Sequence, residues 1–81
     1  MDKRQFHKLA IGELVKLRRD LYGMEAKAIR TAKQVRVCLR AGNREQAEAH
    51  KAAAIDMALI VDFLRGEIKH INSLLERALA A

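Results

Sequence analysis

Between Ala52 and Leu64 the chain reads AAAIDMALIVDFL, a run that only Asp56 and Asp62 interrupt. A surface helix carries one apolar stripe and one polar face, so this segment calls for cover on more than one side. Helical periodicity extends well beyond it. Phe6, Ala10, Leu14, Leu17, Leu21, Met24, Ala28, Ala32, Val35 and Leu39 recur at threes and fours. So do Ala53, Met57, Ile60, Val61, Leu64, Ile68, Ile71, Leu75 and Leu79.

One punctuation mark separates the two runs, the stretch LRAGNREQAE at residues 39–48. Gly42 can take the left-handed conformation that closes a helix, because it has no Cβ. Asn43 can cap the next helix, and Gln46, three residues on, supplies the matching half of a capping box. Arg36, Arg40 and Arg44 lie near the negative end of the first helix dipole, and Glu45 lies near the positive end of the second. The expected fold is therefore all-α, a long antiparallel helical hairpin in a single domain over residues 1–81. Its helices should cover about residues 4–40 and 44–79 around a turn at 41–43, each roughly 50 Å long at 1.5 Å per residue.

Folding the chain at this turn sets Leu39 near Gln46, Ala32 near Ala53, Ala28 near Met57, Leu21 near Leu64, Leu17 near Ile68 and Leu14 near Ile71. Alanines at 47, 49, 52, 53 and 54 crowd the turn end, where small side chains permit close approach at a shallow crossing angle. Gly23 and Gly66 fall opposite the stripes. The helices are expected to pass through them at about 1 kcal/mol each relative to alanine; a break at either would give three helices.

A lone hairpin has one seam, and these helices carry more apolar surface than one seam can cover. Ile11, Val15, Tyr22 and Ile29 flank the stripe of the first helix, while Ala52, Ile55, Leu59 and Phe63 lie away from that of the second. Burying a large aliphatic or aromatic side chain contributes about 1.5–3 kcal/mol. Leaving Val15, Tyr22, Ile29, Ile55, Leu59 and Phe63 in water forgoes on the order of 10 kcal/mol, comparable with the net stability of a domain. These six are the expected interface with a second copy of the chain or with another protein. A homodimer would give a four-helix bundle, and a higher oligomer a larger one. Asp56, Asp62, Arg18 and Glu25 then fall at its edge or set its register.

Composition narrows the remaining readings. Proline is absent and only one Tyr and two Phe occur, which disfavours a sheet or an aromatic recognition module. Charges begin at residue 2, so no secretory leader is expected, and the apolar runs are too short to span a bilayer. The single cysteine, Cys38, cannot form an intrachain disulfide and fits a reducing, cytoplasmic setting. The net charge of +6 is uneven: residues 1–44 carry twelve Lys or Arg against four acids, and residues 45–81 four against six. Lys16, Arg19, Lys27 and Arg30 form an outward stripe, with Lys33, Arg36, Arg40 and Arg44 toward the turn. Such a surface could follow a phosphate backbone with salt-sensitive affinity. No stacking aromatics and no helix-turn-helix accompany it, and membrane-surface binding lacks an aromatic flank.

Reactive chemistry is sparse. Glu67-x-x-His70 has the spacing of a helical metal pair, with Glu13 and Asp20 as rough neighbours, but neither squarely faces it. His7 and His50 sit at opposite ends of the hairpin. Phosphate loops, paired cysteines and a nucleophile–base set are absent. The expectation is a non-enzymatic protein–protein interaction module, an oligomeric adaptor, chaperone or regulator, without cofactor or metal. A basic nucleic-acid-binding regulator is the alternative, and a metal-binding bundle the further one.

Overall fold

In the computed structural model, which describes residues 1–80, two helices account for nearly the whole chain: α1 over Lys3–Arg40 and α2 over Arg44–Ala80. They pack side by side along their length as an all-α hairpin of 59 × 15 × 15 Å. Helix α1 starts at Lys3 because Asp2 caps it, its carboxylate accepting from the Gln5 N–H at 2.8 Å. This cap adds one residue to the helix start expected from the apolar period.

Local hydrogen bonds specify the turn. Among the described residues Gly42 alone has a positive φ, 76°, and it closes α1 in a Schellman motif. The Gly42 N–H donates to the Leu39 carbonyl at 3.1 Å and the Asn43 N–H to the Cys38 carbonyl at 2.9 Å. The Asn43 side chain then accepts from the Gln46 N–H at 3.1 Å, capping α2. The expected capping box is half-made, since Cys38 has already taken the Asn43 N–H that Gln46 would have reached. The Gln46 side chain instead lies 3.9 Å from the Cys38 thiol.

The seam follows a strict seven-residue repeat. On α1 it comprises Ala10, Leu14, Leu17, Leu21, Met24, Ala28, Thr31, Val35 and Cys38; on α2, Ala47, His50, Ala54, Met57, Val61, Leu64, Ile68, Ile71, Leu75 and Ala78, all of them buried or partly buried. Such a 3.5-residue period keeps two helices in contact over a long rod. Four stripe assignments need correction. Ala32, Leu39, Ile60 and Leu79 are exposed, and Thr31 and Cys38 hold the seam places expected for Ala32 and Leu39. Threonine fits there because its hydroxyl donates to the Lys27 carbonyl at 2.9 Å, leaving the side chain against the Met57 sulfur at 3.6 Å. At mid-rod the register moves by up to a turn, with Met57 meeting Thr31, while Leu14 and Ile71 share the open-end cluster as expected.

Apolar packing is densest at the open end, where Ala10, Leu14 and Leu75 are buried and Phe6, Ile68 and Ile71 pack against them. Both helices run unbroken through Gly23 and Gly66, at which an added Cβ would meet nothing within 4 Å. Gly23→Ala and Gly66→Ala should each raise unfolding free energy in urea by about 0.5–1 kcal/mol. Gly42→Ala should lower it by about 1–2 kcal/mol, because alanine resists the left-handed conformation. At the second helix start, Asn43→Ala should cost about 1 kcal/mol and Gln46→Ala measurably less, since only the former removes the capping acceptor.

Candidate functional site

Two packed helices leave most of their circumference uncovered, and what lies there differs from side to side. The Glu25 carboxylate and the Arg65 guanidinium approach to 3.7 Å across one flank of the seam. Glu25 belongs to the row Ile11, Arg18, Glu25, Ala32 and Leu39, spaced by sevens. The adjoining row, four residues on along the helix, is Val15, Tyr22, Ile29 and Arg36. The two rows therefore share a flank with the α2 residues around Arg65. Grooves on this flank bring Ile29 together with Ala28, Ala58 and Val61, and Ile55 together with Ala32, Ala54 and Ala58.

This flank carries four large exposed apolar side chains. Val15 is 53 % exposed, Tyr22 79 %, Ile29 57 % and Ile55 53 %. Covering these four, at about 1.5–3 kcal/mol per fully exposed side chain scaled by exposure, would contribute about 5 kcal/mol, a large fraction of the roughly 5–15 kcal/mol typical of a whole domain. Arg18, Glu25, Asp62 and Arg65 are charges set among them, and Arg36 and Lys51 border the groove of Ile55. The Glu25–Arg65 pair is half in water and contributes less than about 1 kcal/mol to the single chain.

The six residues expected to form one interface are divided. Val15, Tyr22, Ile29 and Ile55 share the face just described. Leu59 and Phe63, 63 % and 64 % exposed, do not join it. Leu59 points directly away from α1, and Phe63, on the spacing of Asp56 and His70, turns toward the opposite flank. There Ile60 lines a groove with Arg19, Asp20, Gly23, Met24, Lys27 and Leu64, a mixed surface of apolar and charged groups. The sequence reading merged these strips because Ile55, Leu59 and Phe63 form an i, i+4 ladder, and such a ladder rotates around its helix.

The cations follow a different line. Lys16, Arg19, Lys27, Arg30, Lys33 and Arg40 are exposed along the outer back and polar flank of α1. Arg36 lies at the edge of the apolar face, and Arg44 at the start of α2, both exposed. Among the described residues only Arg65 and Glu25 form an ion pair, so none of these eight cations is neutralised by direct contact. They reach the turn region beside His50, which is partly buried and lines a groove with Arg30, Thr31, Lys33 and Gln34.

Glu67 is partly buried and His70 exposed, one turn apart on α2. Glu13 lies in an open-end groove with Phe6, Leu9 and Ile71, and Asp20 in the groove near Lys27. Among the described residues no three His, Cys, Asp or Glu side chains converge as a metal site would require. Cys38 is a free, buried thiol. No helix among the described residues is long and apolar enough to cross a membrane.

Comparison with protein-family models, with curated proteins and with solved structures finds no match. The surface itself therefore carries the functional argument.

Buried and exposed leucines should separate in a stability measurement made at concentrations where the chain is single. Leu14 is 4 % exposed and Leu59 63 %. Leu14→Ala should lower unfolding free energy by about 2–3 kcal/mol, whereas Leu59→Ala should change it by no more than about 0.5 kcal/mol.

Proposed function

We propose that the protein is a non-catalytic association module, and that it works by docking helical polypeptide on the face formed by Val15, Tyr22, Ile29 and Ile55. One observation carries the reading: these four large apolar side chains are each more than half exposed and lie on one flank. Rod shape supports it. The radius of gyration is 18.1 Å, against about 12 Å for a compact chain of this length. The single chain exposes 6523 Å², against about 4,900 Å² for a compact protein of its mass. A module of this kind acts as an adaptor or regulator by bringing chains together. Leu59 and Phe63 provide a second, narrower strip outside the face.

The uncompensated cations of α1 support a second reading, contact with a nucleic-acid phosphate backbone. Binding of that kind weakens steeply with salt, by counterion release. It would use the outer back of α1 and leave the apolar face unexplained, so it ranks below association.

Photocrosslinking separates the two readings. A benzophenone-bearing phenylalanine derivative in place of Tyr22 or Ile29 should capture polypeptide in cells, and the same group in place of Lys16 or Arg30 should not. Nucleic-acid adducts from positions 16 and 30, with no polypeptide captured from 22 or 29, would overturn the association reading in favour of the alternative.

A further inference from the structure

We infer that the occupant of the apolar face is a second copy of this chain, its α1 laid antiparallel on α1 of the first about a two-fold axis at Tyr22. The inference rests on the association reading above and specifies the partner and its orientation.

Area comes first. The chain exposes about 1,600 Å² more than a compact protein of its mass, and a standard interface takes about 800 Å² from each partner. One stable face-to-face contact is therefore well within the surplus. The row of residues on the face then selects the arrangement. Ile11, Val15, Arg18, Tyr22, Glu25, Ile29 and Ala32 run down one flank of α1 at alternating spacings of four and three. Read outward from Tyr22, the row mirrors itself in character: Arg18 against Glu25, Val15 against Ile29, Ile11 against Ala32. The two charges nearest the centre are opposite in sign.

An isologous two-fold contact requires that if residue i meets j, then j meets i. Antiparallel α1 helices centred on Tyr22 meet that condition. Tyr22 stacks on its own copy, Val15 meets the partner's Ile29, and Ile11 meets the partner's Ala32. Arg18 meets the partner's Glu25, twice by symmetry. Parallel α1 helices in register would set Arg18 on Arg18 and Glu25 on Glu25. Like charges juxtaposed in an interface are strongly disfavoured, so charge selects the antiparallel form. Beyond Ile11 and Ala32 the next opposed residues are Lys8 and Arg36, both cationic and exposed. They limit the contact to a stretch of roughly 30 Å and reach water along their own stems. The result is a four-helix bundle whose hairpin turns lie at opposite ends, and it leaves the outer back of α1 and the Leu59 strip free.

Mixing experiments test orientation directly. Arg18→Glu places two acids together at each of the two contacts, and Glu25→Arg places two bases. Each variant alone should dimerise at least tenfold more weakly than the parent in sedimentation, with helicity intact by circular dichroism. An equimolar mixture should recover parental affinity to within about threefold, because every contact in the mixed dimer joins opposite charges. The Arg65 neighbour of position 25 is common to the single and mixed samples, so it does not affect the comparison. In a Cys38→Ala background, Val15→Cys mixed with Ile29→Cys should crosslink with a short bismaleimide. Val15→Cys alone should not, since its copies stand about 20 Å apart.

A parental chain of 9.2 kDa at millimolar concentration would overturn this inference while leaving the association reading intact for a foreign partner. A dimer that crosslinks Val15→Cys to itself would overturn the antiparallel orientation, and failure of the charge mixture to recover would overturn the assigned register. In either case polypeptide docking itself would stand.

Discussion

Two α-helices in contact share a single seam, and everything else about them faces outward. That geometric limit governs this molecule. Among the described residues no side chain is fully buried, and only Ala10, Leu14, Cys38, Ala47, Val61, Leu64 and Leu75 form a core. Such a rod has almost no interior in which to place polar catalytic groups shielded from water. Its specificity has to be written on its surface, in which side chains occupy which flank. The flank of Val15, Tyr22, Ile29 and Ile55 sets large apolar side chains among a few charges, the outer back of α1 is cationic, and the remaining flank alternates.

Much of the fold was legible because the decisive signals are local. Glycine followed by asparagine between two periodic runs specifies a stop and a start in adjacent residues. Both Gly42 and Asn43 take the roles their chemistry suggests. The stripe failed where residue type misleads about burial. Thr31 looks polar, yet its hydroxyl is satisfied on its own helix at the Lys27 carbonyl, which frees it to sit in the seam. Leu39 looks like core, yet the turn places Cys38 inward. Once the repeat is taken as seven residues rather than as a wheel of 3.6, both places follow.

The candidate site was legible in kind and less so in layout. An excess of large apolar side chains can be counted from the chain alone. Grouping them needs the relation of one helix to the other, which emerges only when Glu25 and Arg65 are seen to share a flank. That pair divides Ile55 from Leu59 and Phe63, residues that a one-helix view had combined. Gln46 shows the same limit at small scale. Its capping partner was correctly spaced, but the required N–H was already committed to the preceding helix.

Helix α1 has buried residues near its two ends, Leu14 and Ala10 at one and Cys38 at the other, and none in the long span between. An apolar cluster clasps the hairpin at its open end, and the covalent bend holds it at the other. At mid-rod the buried side chains come from α2, Val61 beside Ala28 and Leu64 beside Met24. Helix α1 is thus the more open of the two along the stretch on which Tyr22 sits, and its amide exchange there should respond to whatever settles on that flank.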